Sequence, residues 1–406
     1  MTATLSHTSA VYVPGGGEAW RSPWGGYAAL RDQDPVHHVV PDDWPQHDYY
    51  VLTRHADVLE AAVDSATYSS AGGLSERYDE LEALGLADHP PMVMQDPPVH
   101  GQFRRLVARG FTPRQVTDLE PQIRAFVVER VERLLERGGG DIVEELFKPL
   151  PSMVVAHYLG VPDEDRAQFD QWTDAIVSSG PAGDAGAAAA ATGELLGYFG
   201  RLIDARRTDP GDDSVSHLVR AGAGDDDAGL IGILGYVFTM VNGGNDTTTG
   251  ALGGAVQLLA EHADQRSQLV ADPSLVKPAV EEVLRLTSPV QVLGRTTTRD
   301  VELHGVTIPA GRKVLLHYGA GNRDPRRYGP DADVLDIERA PSQILAFGQG
   351  AHHCLGNAAA RLQIRVALEE LLARIPDFNV DVDAVTWAPG PYVRRPLTVP
   401  FHVERG

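Results

Sequence analysis

The chain has 406 residues, of which 43% are hydrophobic and 22% charged, a balance typical of globular proteins rather than disordered or membrane-embedded chains. Its formal net charge of −21 argues against nucleic acid as a main partner, because phosphate binding needs clustered cations. One cysteine cannot form an internal disulfide, and the first residues have neither the basic start nor the apolar stretch of a signal peptide. We therefore expect a cytoplasmic protein.

The first half of the chain predicts mostly helices. We expect a flexible N-terminus over residues 1–20, then a strand and a helix in "YYVLTRHADVLEAAV". The stretch "DPPVHGQFRRLVARGF" predicts a helix with Asp96 as N-cap and Pro97 at its first position, and "PQIRAFVVERVERLLERG" and "VVAHYLGV" predict two more. The glycine- and alanine-rich segment from Ser178 to Phe199 predicts either a mobile lid loop leading into a helix or an alanine-rich helix.

The second half predicts one long apolar helix between Asp227 and Asp264, a shorter helix in "LVKPAVEEVLRL", and strands in "QVLGRTTTRDVELHGVTIPAGRKVLLHY". The longest apolar run, "LIGILGYVFTMV", has about a dozen residues, whereas a membrane-spanning helix needs roughly 20. It predicts a buried core helix and no membrane span. We expect a mainly α fold with small β-sheets (α+β), and a single domain over residues 1–406, because no repeat or linker interrupts the chain.

The single cysteine, Cys354, lies in "FGQGAHHCLG", directly before a stretch with the spacing of a long helix. Gly348 and Gly350 allow turns there, and a helix N-terminus favours a thiolate, which would suit a metal ion. The residues leave several alternatives open. These are a small buried hydrophobe, a zinc ligand together with His352 and His353, a catalytic nucleophile, or the single sulfur ligand of a haem iron.

A second unusual stretch, "NGGNDTTTG", lies within the long predicted helix. Gly243 and Gly244 each cost roughly 0.5–1 kcal/mol relative to alanine inside a helix. We therefore expect a distortion with a break in the backbone hydrogen bonds, next to an acid and an alcohol, Asp246 and Thr247.

These two motifs identify a family resemblance. "FGQGAHHCLG" matches every fixed position of the haem-binding loop of soluble bacterial cytochromes P450, Phe-Gly-x-Gly-x-His-x-Cys-Leu-Gly, and further matches run from about Val51 to Phe401. The resemblance implies the cytochrome P450 fold, with haem b between the long central helix and the cysteine loop. By this resemblance Cys354 is the thiolate ligand of the iron, and the haem-contacting loop residues include Phe347, Gly348, His352 and Gly356.

The resemblance also assigns roles outside the loop. His100 and Arg104, four residues apart on one predicted helix face, and Arg295 would bind the haem propionates together with His352. Gly243, Gly244, Asp246 and Thr247 resemble the oxygen-activation motif, in which the last two deliver protons to bound dioxygen. Glu282 and Arg285, which alone would indicate a surface ion pair, would form a buried structural triad with Arg339.

Substrate contacts are expected where the family places its pocket wall. The candidates are mostly apolar, which predicts an apolar substrate; they are Met92, Met94, Phe238, Val241, Val290, Val292, Leu293, Tyr392 and Val393.

The expected function is that of a monooxygenase acting with O2. No flavin or iron–sulfur domain fits beside the matched region, so NAD(P)H would supply electrons through a ferredoxin and its reductase. A docking patch for an acidic partner is expected at Arg104, Arg105, Arg109 and Arg361. The alternatives are a peroxide-driven hydroxylase or decarboxylase of the same fold, and a haem-thiolate binding or sensing protein without turnover. We expect a monomer.

Overall fold

The computed structural model describes residues 10–177 and 185–404, and α-helices are its main secondary structure. The helices are α1 (Trp24–Gln33), α2 (His55–Val63), α3 (Glu80–Ala83), α4 (Val99–Val107), α5 (Pro113–Asp118), α6 (Glu120–Arg137), α7 (Pro149–Leu159), α8 (Arg166–Val177), α9 (Ala185–Thr208), α10 (Ser214–Arg220), α11 (Asp227–Glu261), α12 (Ala263–Ala271), α13 (Val276–Thr287), α14 (Tyr318–Gly321), α15 (Pro325–Tyr328) and α16 (Asn357–Arg374). The mainly α fold class predicted from the sequence is confirmed.

The strands form small sheets. They are β1 (Val36–Val39), β2 (Tyr49–Leu52), β3 (Tyr68–Ser69), β4 (Gly139–Asp141), β5 (Val292–Thr297), β6 (Val301–Leu303), β7 (Val306–Ile308), β8 (Lys313–His317), β9 (Phe378–Val380), β10 (Thr386–Trp387), β11 (Pro396–Thr398) and β12 (Pro400–Val403). The largest sheet has the order β1-β2-β8-β5-β3, with β2 parallel to β8 and the other pairs antiparallel. It therefore joins strands from both ends of the chain.

The largest hydrophobic core lies where α6, α7, α11, α13 and α16 pack together. On α6 the apolar residues recur at helical spacing, so that Ile123, Val127, Val131 and Leu134 form one fully buried stripe. Burial of each such side chain stabilises the fold by roughly 1.5–3 kcal/mol. The opposite face of α6 carries the charged residues that the same periodicity predicts.

Helix α11 crosses this core, and other segments approach it very closely at its glycines. A Cβ atom on Gly244 would lie 2.6 Å from Val155 Cγ2 of α7, and one on Gly254 would lie 2.4 Å from Thr287 Cγ2 of α13. Any larger residue would force these helices apart. Gly244 of "NGGNDTTTG", like Gly254 further along, thus permits tight packing. The predicted break is wrong, because the helix continues without interruption through Gly243 and Gly244.

The flexible N-terminus is expected over residues 1–20, of which residues 1–9 lie outside the described residues. Near the end of this range, Trp20 is 1% exposed and its indole N–H donates to the carbonyl of Gly390 at 3.0 Å. The predicted start of the next helix is wrong. Helix α4 begins at Val99, after the predicted start. Asp96 is not its side-chain cap, because its carboxylate instead accepts hydrogen bonds from the Ser70 backbone N–H, at 2.8 Å, and the Ser69 hydroxyl.

The apolar run "LIGILGYVFTMV" lies in α11 and is buried on one side only. Ile233, Val237 and Val241 are buried, whereas Ile231 and Phe238 are more than a third exposed. None of the helices described is long and apolar enough to cross a membrane. Of the glycine- and alanine-rich segment, residues 178–184 lie outside the described residues and the remainder belongs to α9.

His317, the last residue of β8, gives the fold a predictable pH dependence. Its ring lies 4.2 Å from that of Tyr27, and its Nδ1 accepts the backbone N–H of Ala320 at 3.2 Å. Burial, with a smaller effect of Arg31, lowers the pKa of His317 to about 3. Above an unfolded-state pKa of about 6.5 the histidine is neutral in both states; below it, only the unfolded chain takes up the proton.

We therefore expect this site to reduce the free energy of unfolding as pH falls from 6.5 towards 3, by up to about 1.4 kcal/mol for each pH unit. His317→Asn keeps an acceptor for Ala320 but cannot take up the proton. Urea unfolding between pH 4.5 and 7 should show a weaker pH dependence in this variant than in the parent. The exposed histidine variant His89→Asn is the control, and equal slopes in the parent and His317→Asn would contradict the prediction.

Candidate active site around Cys354

The cysteine loop, residues 347–356, turns back on itself before α16. The Cys354 backbone N–H donates to the carbonyl of Phe347 at 2.8 Å, and the His353 N–H donates to that of Gly350 at 3.1 Å. Gly350 has φ +69°, and a Cβ atom there would lie 2.6 Å from the carbonyl oxygen of Ala62. Glycine is therefore required at this position by both backbone conformation and the contact with α2.

The loop presents Cys354 to a large cavity between α11 and α16. Burial raises the pKa of the Cys354 thiol, and the Gly356 backbone N–H, Arg104 and Arg361 lower it only in part. The backbone N–H before the helix thus favours the thiolate, as expected, but desolvation outweighs it. Coordination of a metal cation would supply the missing positive charge and displace the proton.

A group of basic side chains, called the cationic wall below because of its two arginines, forms one wall of the same cavity. It comprises His100 and Arg104 of α4, Arg295 of β5, and His352 of the cysteine loop. The rings of His100 and His352 lie 4.2 Å apart, and the Arg104 guanidinium donates to the carbonyl of His353. Within the described residues that line the cavity there is no carboxylate to balance these groups.

His352 gives the clearest evidence that this wall suits an anionic ligand. Burial, followed by Arg295, His100 and Arg104, lowers the pKa of His352 to about 3. Its Nε2 atom is buried and has no hydrogen-bond partner among the described residues. A buried polar atom without a partner is costly, so an anionic group bound against these side chains would stabilise the site. The sulfur ligand, the cationic wall and the apolar space between them fit a haem with two propionates.

Helix α11 forms the opposite wall with one face. The residues of this face that line the cavity are Tyr236, Thr239, Met240, Gly243, Gly244, Thr247, Thr248 and Ala251, which recur at helical spacing. A Cβ atom on Gly243 would meet no protein atom within 4 Å, so this position keeps space in the cavity free. The Thr247 hydroxyl donates to the Gly243 carbonyl at 2.6 Å.

Asp246 lies on the neighbouring face of α11 and does not line the cavity. Its carboxylate pairs with Arg395, with Oδ1 and Nε 2.9 Å apart. Burial raises the pKa of Asp246 to about 6, although Arg395 opposes the shift. Asp246 therefore titrates much closer to neutral pH than an ordinary aspartate does.

The predicted substrate residues divide into two groups. Met92, Val290 and Leu293 line the cavity. The others do not, namely Met94, Phe238, Val241, Val292, Tyr392 and Val393. On β5 the alternation of side chains explains the division, because Leu293 and Arg295 face the cavity while Val292 packs into the core on the other side.

On α11 the helical period has the same effect. Phe238 is exposed and Val241 packs into a second core, since both lie off the face that carries Gly243 and Thr247. Met94 is buried away from the cavity, and Val393 pairs with Val290 in an isolated β-bridge. The Tyr392 hydroxyl donates to Glu76 at 2.6 Å.

Behind the cysteine loop, Glu282, Arg285 and Arg339 form a hydrogen-bonded cluster. Both Glu282 and Arg285 are fully buried and joined by two hydrogen bonds of 2.6 and 2.7 Å. Arg339 donates to the same carboxylate at 3.1 Å. Arg285 also donates to the carbonyls of Asn322 and Ala332, so that the cluster ties α13 to the segment preceding the loop.

Sequence reasoning missed several residues of the cavity wall. These include Leu74, Phe111, Val154, Tyr158, Tyr236, Met240, Tyr318 and Gln363. Tyr236 and Met240 could have been found, because they precede Gly243 by seven and three positions on one helix face. No local signal marks Leu74 or Tyr158, which reach the cavity only through packing of distant segments.

Comparisons with known proteins agree with this geometry. A family model described as cytochrome P450 matches residues 230–386. Cytochrome P450 130 of Mycobacterium tuberculosis is 61% identical over 99% of this chain and 100% of its own length. The vitamin D(3) 25-hydroxylase of Pseudonocardia autotrophica is 38% identical over 90% of this chain and 89% of its own. The structure of cytochrome P450 CYP109Q5 from Chondromyces apiculatus superimposes with a TM-score of 0.83 at 34% identity, covering 96% of this chain and 97% of that one.

The cysteine loop offers a matched pair of glycines for a stability test. Gly350→Ala places a side chain at positive φ and against the Ala62 carbonyl, so we expect a loss of about 2 kcal/mol or more in the free energy of unfolding. Gly356 has φ −82° and open space around its Cβ position, so Gly356→Ala should change stability by less than about 0.5 kcal/mol. Urea unfolding measures both, and equal effects would contradict the role given to Gly350.

Proposed function

The chain belongs to the cytochrome P450 family, whose members are monooxygenases, and on this premise we propose that it hydroxylates an apolar organic substrate with electrons that come from NAD(P)H through a ferredoxin and its reductase. The observation that carries the proposal is the cavity itself. One sulfur, one cationic wall and one face of α11 bearing Thr247 converge on it, and the rest of its described lining is mostly apolar.

The family implies a haem-thiolate cofactor, and we propose haem b. Cys354 would ligate the iron; His100, Arg104, Arg295 and His352 would hold the propionates; and Gly243 would leave room for bound dioxygen. When bound, such a cofactor supplies the activation of dioxygen by a thiolate-ligated iron. The Arg361 guanidinium lies 4.4 Å from the centre of the Phe347 ring and so holds this ring against the cysteine loop.

The chain's own part in the reaction would be proton delivery. With a pKa near 6, Asp246 can take up a proton from solvent at neutral pH and release it again. The Thr247 hydroxyl, which faces the cavity, would pass a proton inward and be reprotonated from the side of Asp246. The Gly243 carbonyl orients this hydroxyl by accepting its hydrogen bond.

The substrate is expected to be apolar because Leu74, Met92, Val290 and Leu293 form much of the wall outside the cationic group. The vitamin D(3) 25-hydroxylase, by its name, acts on a molecule of this kind. We further propose that residues 1–406 form one domain that acts as a monomer in the cytoplasm. Cytochrome P450 130 aligns with 99% of this chain over 100% of its own length, which supports the proposal of one domain.

Electron delivery would use a smaller patch than the four arginines of the sequence prediction. Arg104 turns inward to His353, and Arg361 pairs with Glu281. Arg105 and Arg109 are exposed and make no ion pair within the described residues. We propose that these two arginines attract an acidic ferredoxin.

The first test compares reduced protein under carbon monoxide with and without Cys354. The parent should show the long-wavelength Soret band of thiolate ligation, and Cys354→His should show the shorter-wavelength band of a neutral ligand.

Product formation coupled to NAD(P)H and oxygen should fall by roughly 10²-fold or more in Thr247→Ala, because a positioned proton donor is lost. Turnover driven only by hydrogen peroxide would favour the peroxide-dependent alternative, and haem binding without any turnover would favour a sensor.

The second test concerns the ferredoxin. Arg105→Glu and Arg109→Glu should each slow reduction by an acidic ferredoxin roughly three- to tenfold at low salt, with a weaker dependence on ionic strength. Arg201→Glu makes the same charge change at an exposed position on α9, and the ferredoxin should reduce this variant at the parent rate. Stopped-flow reduction measures all four proteins, and equal rates would refute the docking patch.

A further inference from the structure

The ion pair between Asp246 and Arg395 joins the proposed proton relay to a part of the chain about 150 residues away. Arg395 belongs to the segment Tyr392–Pro396 just before and at the start of β11, and its side chain is almost completely buried. Neither residue lines the cavity, so the pair lies beside the candidate active site. The inference drawn from this pair rests on the function proposed above.

Glycines on α11 bring the segment within reach. Asp246, Gly250 and Gly253 recur at four and three positions and therefore share one helix face. A Cβ atom on Gly250 would lie 2.8 Å from the carbonyl oxygen of Arg394, and one on Gly253 would lie 2.4 Å from Cγ of Pro396. With side chains at either position, the segment would have to move away from the helix.

The segment is held on its other side as well. The Arg394 backbone N–H donates to the carbonyl of Pro289 at 2.8 Å, and the Gln291 N–H donates to that of Tyr392 at 2.8 Å. The Tyr392 hydroxyl donates to Glu76, in the loop whose Leu74 lines the cavity. Arg395 is therefore carried by a fixed piece of backbone rather than by a free surface loop.

Burial and charge act in opposite directions on Asp246. Desolvation raises the pKa of its carboxyl group, and Arg395 is the charged group that lowers it. The neighbouring Arg394 is directed elsewhere, because its Nε donates to the Trp20 carbonyl and its guanidinium lies 4.0 Å from the centre of the Trp387 ring. Loss of Arg395 would leave a partly buried carboxylate without its cation, which favours the protonated form.

We propose that Arg395 is the positioning residue of the proton relay, which holds the carboxylate of Asp246 ionised and fixed beside Thr247. Only O–H bonds form and break in this role. A proton from solvent binds the Asp246 carboxylate and weakens the ion pair. The carboxyl group then gives this proton to the Thr247 hydroxyl as that hydroxyl passes its own proton into the cavity, and the ionised carboxylate pairs with Arg395 again. The guanidinium keeps its own proton throughout.

The test is a direct titration of Asp246 by infrared difference spectroscopy on the haem-loaded protein, with Asp246→Asn to assign the carboxyl signal. The parent should titrate near pH 6. In Arg395→Gln the midpoint should rise by about one pH unit or more, and Arg395→Lys should restore most of the shift. Arg206→Gln removes a comparable ion pair with the buried Asp213 and should leave the midpoint of Asp246 unchanged.

Gly253→Ala is a second variant that displaces the segment while keeping Arg395, and it should raise the midpoint in the same direction. It decides the question if Arg395→Gln does not fold. An unchanged midpoint in the folded variants, with only a lower unfolding temperature, would show that Arg395 has a purely structural role and would overturn the proposal.

Turnover provides a separate readout. In Arg395→Gln the acidic limb of the pH–rate profile should shift to higher pH, by about as much as the infrared midpoint does. KM should stay within about twofold of the parent value, because Arg395 does not line the cavity. If Asp246→Asn turns over like the parent, the proton relay of the proposed function fails. The infrared titration still reports whether Arg395 controls the carboxylate, so the two failures are distinguishable.

Discussion

Close packing against α11 is the constraint on which the rest of the structure depends. Four glycines of this helix, at 244, 250, 253 and 254, lie where a Cβ atom would collide with α7, α13 or the C-terminal segment. These contacts set the distance between the helix and its neighbours, and therefore the width of the cavity that the helix lines. Because packed interiors do not yield easily, a single methyl group at one of these positions would change that geometry.

A second constraint is electrostatic. The chain as a whole carries a formal charge of −21, yet the described residues that line the cavity bring two arginines and two histidines together without a carboxylate. The two arginine charges in this wall are unfavourable unless an anion is bound, and the buried Nε2 of His352, which has no hydrogen-bond partner among the described residues, also indicates a ligand. Behind the loop, by contrast, Glu282 pairs with Arg285 and Arg339, and Asp331 also pairs with Arg339, so the charges there are balanced within the protein.

At two positions in the site, burial and neighbouring cations shift the pKa in opposite directions. Desolvation dominates at Cys354 and at Asp246, and in both cases neighbouring cations offset it only in part. For the thiol, coordination to a metal ion would favour the ionised form. For the carboxyl group, the partial offset leaves a pKa of about 6, which would suit the proton delivery proposed for it.

The sequence by itself determined the helices, because their apolar periodicity is local, and it determined the cysteine loop and the family, because the fixed residues of "FGQGAHHCLG" are contiguous. It also placed His100 and Arg104 on one helix face, since four residues make about one turn. Only the tertiary structure decided which faces meet. It separated Leu293 from Val292, removed Phe238 from the cavity, brought in Leu74 and Tyr158, and paired Asp246 with Arg395. These contacts join residues far apart in the chain, and they depend on how whole elements pack, which no local spacing specifies.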